Sequence, residues 1–284
     1  MARIEDYALI GDCETAALVG RDGSIDWLCV PRFDSPACFA ALLGTPEHGR
    51  CQIAASGQSI RTVRRYRPGT LVLETEYETE AGAVTVIDCM PLRTETPTIV
   101  RIVEGKRGRV PMSFDLVMRL DYGSLVPWVR RTRDGIRAVG GAGALRLRTP
   151  VALRGENFHT VAEFSVAAGE RVPFTLSWSP SCGVEPPEVE PESAIEETER
   201  WWRHWSARCT YDGEWREAVV RSLVTLKAVT YARTGGLVAS ATSPKISSWN
   251  CVVAALPTRT GALFSYPGSQ DTVHSGRSRS PATP

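Results

Sequence analysis

Residues 20–44, GRDGSIDWLCVPRFDSPACFAALLG, combine three carboxylates with a tryptophan and two cysteines. The carboxylates belong to Asp22, Asp26 and Asp34, and Trp27 directly follows the second. Carboxylates beside aromatic rings suggest the cleavage of sugars, in which one acid protonates the leaving oxygen and another activates water or attacks the sugar. Every polar residue here also has a structural role available, and we favour that interpretation over catalysis.

Two local elements would hold these acids. Residues 18–30, LVGRDGSIDWLCV, predict a β-hairpin with Asp22-Gly23 in its turn. The next residues, DSPACFAALLG, predict a short helix in which Ser35 is the N-cap, Pro36 takes the first helical position and Gly44 lies past the end. The stretch is thus predicted to have a structural role, as a hairpin followed by a short helix, rather than to be an active site.

A second candidate is a group of aromatic residues further along the chain: Trp201, Trp202, Trp205, Tyr211 and Trp215. Such rings could stack on sugar rings. Trp201 and Trp205 are four residues apart and share one face of a helix. Large amphipathic rings equally suit a helix packed between two domains, and we favour packing.

Three further motifs have structural explanations. The basic runs at 61–67 (RTVRRYR) and 130–137 (RRTRDGIR) predict charged edge strands rather than a nucleic-acid surface, because the chain as a whole is neutral. The glycine-rich GGAGALR at 140–146 lacks the spacing of a dinucleotide site and predicts a turn.

No metal or nucleophile constellation is found, and no cofactor is predicted. Glu74, Glu76 and Glu78 alternate along one strand and suggest a solvated edge. The histidines, which are isolated in sequence, are His48, His159, His204 and His274. The cysteines, which lack zinc-ligand spacing and predict reduced, mostly buried thiols, are Cys13, Cys29, Cys38, Cys51, Cys89, Cys182, Cys209 and Cys251.

The chain of 284 residues, 43% of them hydrophobic, can bury a sizeable core. Short alternating runs separated by Gly, Pro and Asp turns predict a mainly β fold, a large antiparallel β-sandwich over 1–182. One such run, LVLETEY at 71–77, places Leu71, Leu73, Thr75 and Tyr77 on one face. A second hairpin is predicted around Ala168-Gly169.

Helices are predicted after the sandwich. Residues 183–212 comprise a Pro/Glu linker and a Trp-rich connector helix, which a capping box of Ser193 and Glu196 begins and which runs to about Cys209. A second helix is expected to end at Gly235-Gly236. Its predicted face consists of Trp215, Val219, Ser222, Leu223, Leu226 and Val229.

Charge and hydropathy exclude several partners. The 33 basic and 32 acidic side chains leave a net charge of +1, so no long-range field attracts nucleic acid or an anionic membrane. Neither a signal peptide nor a stretch long enough to cross a membrane is recognised, and the expected location is cytoplasmic.

Two segments of the chain resemble the bacterial proteins of glycoside hydrolase family 15, the glucoamylase and trehalase-like enzymes. They are IEDYALIGDCETAALVGRDGSIDWLCVPRFDSPACFAALLG at the start and YDGEWREAVVRSLVTLKAVTYARTGGLVAS before residue 241. The resemblance implies that 1–182 is the family's N-terminal sandwich and that 213–241 begins an (α/α)6 catalytic barrel. It also implies an inverting hydrolase of α-glucosidic bonds, acting on trehalose or maltooligosaccharides.

The resemblance ends near residue 241. The family's Arg-Asp motif, similar to NWDYRYCWLRDA, is replaced by SSWNCVVAALPTRTGALF, and both catalytic glutamates of the family belong further downstream. Residues 242–284 are rich in Ser, Thr, Pro and Gly and predict a divergent, disordered tail. We therefore expect a truncated or frameshifted, inactive family member with no catalytic residue in this chain.

Two alternatives stay open. The sandwich could act alone as a carbohydrate-binding or protein-interaction module, or the product could lack a function because its second helix has lost the helices on which it should pack. The sequence assigns no substrate-binding residue and predicts no oligomeric state.

Overall fold

The computed structural model of the chain describes residues 3–183 and 185–242. Fifteen antiparallel strands form one continuous sheet, and two α-helices follow. The strands are β1 (Ala8–Gly11), β2 (Ala16–Val19), β3 (Ser24–Cys29), β4 (Ala37–Phe39), β5 (Arg50–Ala55), β6 (Arg61–Tyr66), β7 (Leu73–Thr79), β8 (Gly82–Cys89), β9 (Thr98–Val117), β10 (Trp128–Thr132), β11 (Gly135–Gly140), β12 (Gly143–Arg148), β13 (Arg154–Glu156), β14 (His159–Ala167) and β15 (Arg171–Pro180). The helices are α1 (Pro191–Ser206) and α2 (Arg216–Ala228).

The long strand β9 belongs to both halves of the sheet. Its first half pairs with β8 and β15, and its second half pairs with β14 and β5. Phe114 of the second half stacks on Phe174 of β15, with ring centroids 4.8 Å apart. The two halves therefore enclose one core, and the predicted mainly β sandwich followed by helices is confirmed.

A buried arginine connects the halves across this core. The Arg101 guanidinium of β9, 2% exposed, donates from Nε to Asp88 Oδ1 at 2.6 Å. It also donates to the carbonyl oxygens of Cys51 and Gly23, each at 2.7 Å. Burial acts to lower the pKa of Arg101, but Asp88 and Cys51 together outweigh that effect and raise it. Each of the guanidinium nitrogens thus has an acceptor in the core.

The predicted hairpin of residues 18–30 is confirmed. Strands β2 and β3 pair with Leu18 opposite Trp27, and Gly23 in the turn has φ of 76°. The helix predicted after it is wrong. Residues 37–39 form β4, which pairs with β3, and only Ala41–Leu43 form a single 3-10 turn. A buried, uninterrupted apolar run fits a strand as well as a helix, and pairing with β3 decides between them.

The second hairpin, around Ala168-Gly169, is also not present. Strands β14 and β15 do not pair with each other; they follow one another along β9, and Gly169 has φ of 83° at the break between them. The residues on either side of Gly108 likewise belong to one continuous strand, β9.

The basic run at 61–67 lies at a sheet edge, as predicted, and the run at 130–137 extends from the edge strand β10 into the inner strand β11. Strand β6 pairs with β7 alone, and β10 pairs with β11 alone. GGAGALR forms the β11–β12 turn, which is also confirmed. The glutamates of β7 do not lie at an edge, because β7 pairs with both β6 and β8. Glu74, half-buried, accepts hydrogen bonds from Arg65 and Arg67.

The helix limits differ from those predicted. The N-cap of α1 is Glu190, whose carboxylate accepts from the Ser193 backbone N–H at 2.6 Å, so the Ser193–Glu196 capping box is wrong. Helix α1 ends at Ser206 rather than Cys209. Helix α2 ends at Ala228, well before the glycine pair.

The face of α2 that was predicted from periodicity is largely exposed: Trp215 is 65% exposed and Leu226 50%. The buried residues are Val224 and Ala228, which pack against Leu71 and Trp202. The domain limits of 1–182, 183–212 and 213–241 stay predictions. The tail predicted at 242–284 lies outside the described residues except for residue 242.

Candidate functional site

The three acids of the opening stretch are engaged in structural contacts. Asp22 accepts from the Ser24 N–H at 3.1 Å and from Gln52 Nε2 at 3.0 Å, which closes the hairpin turn. Asp26 accepts from the hydroxyls of Tyr7 and Ser24. Burial, together with this contact to Asp26, raises the pKa of the Tyr7 phenol.

Asp34, the third acid, forms an exposed pair with Arg32 at 2.9 Å. None of the three lines either of the two large cavities described for the chain. Each of the three acids thus has a structural contact, and the absence of a catalytic residue from this stretch stays a prediction.

The tryptophans of α1 pack rather than form an open platform. Trp202 is fully buried, and Trp201 and Trp205 meet it edge-on with ring centroids 4.9 and 6.1 Å away. The cluster lies against Leu71 and α2. The packing interpretation is confirmed for these three rings. The remaining two aromatic residues of the group, Tyr211 and Trp215, are exposed.

The buried cysteines are unsuited to nucleophilic chemistry. All seven cysteines among the described residues are free, and five of them are buried. Burial raises the pKa of Cys13, Cys29 and Cys89 to about 12. Because the thiolate is the reactive form, these thiols are inert at neutral pH. Cys251 lies outside the described residues.

One histidine that looked isolated in sequence lies between two carboxylates. His159 Nδ1 lies 2.8 Å from Asp115 Oδ1, and its Nε2 lies 3.0 Å from Glu47 Oε1. Arg50 contacts the same Asp115 carboxylate at 2.7 Å. Both ring nitrogens are occupied, so His159 serves as a positioned link between β14, β9 and the loop before β5. His274 lies outside the described residues.

The strongest polar constellation is one that the sequence did not predict. We call it the Arg93 cluster: Asp12, Glu14, Arg93 and Arg233. Arg93, whose side chain is 4% exposed, donates to Asp12 Oδ2 at 3.0 Å from Nε and at 2.7 Å from Nη2. Its Nη1 lies 3.3 Å from Glu14 Oε2, and Arg233 Nε reaches that same oxygen at 3.0 Å.

The backbone around Asp12 is shaped for this cluster. Asp12 Oδ1 accepts the N–H groups of Glu14 and Thr15 at 2.9 and 2.8 Å, and Cys13, which lies between Asp12 and Glu14, has φ of 65°. Burial raises the pKa of the Asp12 carboxyl, while Arg93 and the two N–H groups act to lower it. Asp12 thus orders the β1–β2 turn and anchors Arg93.

The segment after α2 lies over the same part of the sandwich. The Ala232 N–H donates to the Cys13 carbonyl at 2.8 Å, and Trp27 Nε1 donates to the Ala241 carbonyl at 2.7 Å. Helix α2 is held by Arg221, which stacks over the Tyr66 ring at 4.0 Å. Residues distant in sequence thereby fix the path of the chain from α2 to residue 241.

Sequence patterns gave no indication of the Arg93 cluster, because its members follow no periodicity; they lie at positions 12, 14, 93 and 233. The only signal was the pair of acids in IGDCETAALV, within an otherwise apolar stretch. Among the described residues, no group of histidine, cysteine and carboxylate side chains is arranged to bind a metal ion. Neither described helix is long and apolar enough to cross a membrane.

A family model described as "Trehalase-like, N-terminal" matches residues 1–205 of the chain. This chain belongs to the trehalase-like N-terminal family. The match extends over the whole sheet and all but the last residue of α1, and it includes three members of the Arg93 cluster, Asp12, Glu14 and Arg93. The resemblance noted from the sequence motifs is therefore confirmed.

Curated relatives of this trehalase-like chain extend the match past α2. A trehalase of Mycobacterium tuberculosis and one of Mycolicibacterium smegmatis are each 31% identical over 270 residues, which covers 84% of this chain and 39% and 40% of those proteins. A trehalase of Thermoplasma acidophilum is 26% identical over 237 residues, 80% of this chain and 40% of that protein. The chain spans about two fifths of the length of these relatives.

Proposed function

We propose that residues 1–182 are the non-catalytic N-terminal sandwich of a family 15 glycoside hydrolase and that they position the start of its catalytic barrel. In this proposal residues 183–212 connect the two parts and 213–241 begin the barrel. The substrate of the whole enzyme is an α-glucoside. Trehalose is favoured over maltooligosaccharides because the curated relatives are named trehalases.

The Arg93 cluster carries this proposal. Arg93 and Glu14 of the sandwich engage Arg233, which follows α2, and the backbone contacts of Cys13 and Trp27 continue along the same segment. Because these contacts fix the segment after α2 on the sandwich, the sandwich is suited to orienting the catalytic barrel of the whole enzyme. The exposed residues of α2 form a face on which other helices of the barrel could pack.

By themselves, the described residues are proposed to be inactive. Inverting hydrolysis needs two carboxyl groups about 6.5 to 9.5 Å apart, flanking the scissile bond. Asp22, Asp26 and Asp34 are committed to turn and ion-pair contacts, which supports this proposal. The free, buried thiols support a reducing compartment, and we assign the protein to the cytoplasm on that ground.

The test is glucose release from trehalose and from maltooligosaccharides by the purified 284-residue chain. We expect release equal to that of a protein-free blank. Release above the blank that survives further purification would refute the inactivity. Asp22→Asn, Asp26→Asn and Asp34→Asn variants would then identify any acid involved.

A second function is favoured by one observation. Trp128 and Phe158, both strongly exposed, line the same cleft of the sandwich. Exposed aromatic residues around a cleft are suited to carbohydrate binding, so the module can contribute sugar binding as well as position the barrel.

A further inference from the structure

We propose that the cleft between β10 and the β13–β14 hairpin, the Trp128 cleft, binds a neutral α-glucoside. Trp128 and Phe158 would be its stacking residues. The cleft has a volume of about 460 Å³, within the range of about 300 to 1,000 Å³ usual for small-molecule sites. The choice of an α-glucoside rests on the proposed function; the site itself rests on the geometry below.

Both aromatic side chains are far more exposed than packing would leave them. Trp128 is 85% exposed and Phe158 79%. Large apolar groups gain stability by burial, so these two rings contribute little to the core. Two such rings lining one cleft form a local apolar surface, which commonly marks a binding site.

The backbone at Phe158 is strained for a residue of its type. Glu156 pairs with His159, so Asn157 and Phe158 are the two central residues of a tight hairpin turn, with φ of 48° and 64°. Such turns favour Asn and Gly, and a bulky residue at positive φ is an outlier. Strain retained at an exposed phenylalanine, whose ring does not stabilise the core, points to a binding role.

The turn that carries Phe158 is supported from beneath. Arg119, with a side chain 8% exposed, donates from Nη1 to the Met118 carbonyl at 2.9 Å and to the Phe158 carbonyl at 3.4 Å. Its Nη2 lies 3.7 Å from Glu47, the residue that also contacts His159. The Phe158 ring is therefore presented from a fixed backbone, which reduces the entropy lost on binding.

The chemistry of the cleft fits an uncharged polyhydroxy ligand. The C–H faces of a pyranose ring pack on aromatic rings, while its hydroxyls need donors and acceptors at the edge. Asn157 supplies both. At the rim, Arg154 and Glu156 lie 3.4 Å apart and offset each other's charge. Arg119 and Arg131 also line the cleft, and their guanidinium groups donate to the carbonyl oxygens of Phe158 and Leu153. A di- or trisaccharide of glucose meets these requirements.

The experiment is calorimetric titration of the full 284-residue chain with trehalose and with maltotriose. We expect saturable binding of at least one sugar, and protection of one tryptophan from acrylamide quenching when that sugar is bound. Trp128→Ala should weaken binding about tenfold or more and remove the protected tryptophan. Phe158→Asn should also weaken binding but not lower the melting temperature, because asparagine tolerates positive φ.

The matched control is Ile60→Ala, which removes another exposed apolar side chain (66%) outside the cleft and should leave sugar binding unchanged. Absence of saturable binding, or undiminished binding by Trp128→Ala, would overturn the proposal. Loss of self-association in Trp128→Ala without any sugar binding would instead assign the cleft to a protein contact. Either failure, in a chain that melts cooperatively and releases no glucose, would remove the sugar-binding function alone and leave the proposed role in positioning the barrel unaffected.

Discussion

Glu14 and Arg233 form an ion pair with Oε2 and Nε 3.0 Å apart, although 219 positions separate them in sequence. The same Glu14 oxygen lies 3.3 Å from Arg93, which also binds Asp12. One carboxylate is thus shared between a guanidinium of the sandwich and one that follows α2. Glu14 is buried, whereas the Arg233 side chain is largely exposed, so the inner half of the cluster carries most of its energy.

Arg93→Met should therefore destabilise the chain strongly. It leaves the buried Asp12 carboxylate without its counter-ion, and removal of one partner of a buried pair costs about 3 to 5 kcal/mol. Urea denaturation measures the loss. Arg3→Met is the control, because Arg3 is exposed and, within residues 3–183 and 185–242, forms an ion pair only with the exposed Glu5; its effect should stay within about 0.5 kcal/mol. Equal losses for the two variants would contradict the assignment.

The Arg101–Asp88 pair should show strong coupling in a double-mutant cycle. Asp88→Leu alone leaves a buried guanidinium without a carboxylate, and Arg101→Met alone leaves a buried carboxylate without a cation. Each single change should cost about 3 to 5 kcal/mol. The double variant should lose less than the sum, since neither charge is left unpaired, although the carbonyls of Cys51 and Gly23 lose their donor. Additive losses would exclude this coupling.

Stability should fall in acid partly through Glu74. Burial acts to raise the pKa of its carboxyl, but the hydrogen bonds and charge of Arg67 and the charge of Arg65 outweigh burial and lower it. The unfolded chain then binds more protons than the folded chain between the two pKa values. The stabilisation that Glu74 contributes to the folded chain is present above its ordinary pKa of about 4.3. It is lost as the pH falls through the lower pKa of the folded state.

Glu74→Gln should remove that part of the acid dependence and lower the free energy of unfolding at pH 7 by about 1 kcal/mol. The measurement is urea denaturation from neutral to acid pH. Glu5→Gln, at an exposed position, should leave the profile unchanged. An unchanged profile for Glu74→Gln would count against the pairing with Arg67.

The two faces of α2 should respond differently to truncation. Val224→Ala removes buried methyl groups beside Leu71 and Trp202 and should cost about 2 kcal/mol. Leu226→Ala, on the exposed face, should change the free energy of unfolding by less than about 0.5 kcal/mol. Chemical denaturation of the two variants compares them directly, and the reverse order would mean that the helix packs by the face that periodicity predicted.

Local patterns in the sequence were sufficient for several of the strands. Alternation and a tight turn identified the β2–β3 hairpin and the core face of β7, because each depends on neighbouring residues alone. The residues at 37–43 could not be assigned in this way. Their apolar run is too short to distinguish a helix from a strand. Pairing with β3 makes residues 37–39 a strand, and no local pattern indicates that pairing.

The buried face of α2, the Arg93 cluster and the Trp128 cleft depend on tertiary contacts, which local sequence patterns do not contain. Helix α2 offers two apolar faces, and the position of Trp202 determines that Val224 rather than Leu226 is buried. The Arg93 cluster joins charges from three distant parts of the chain, which no window of sequence contains. The exposed Trp128 and the turn at Phe158 are separated by 30 positions, and only the fold brings them to one cleft.

The sharing of β9 between both halves of the sheet also bears on how the chain folds. Two of its partner strands, β5 and β8, precede it in the sequence, and two, β14 and β15, follow it. During synthesis, neither half can complete its pairing until residues 159–180 have left the ribosome. Many of the contacts are therefore non-local, and we expect slow, highly cooperative folding in which both layers form together.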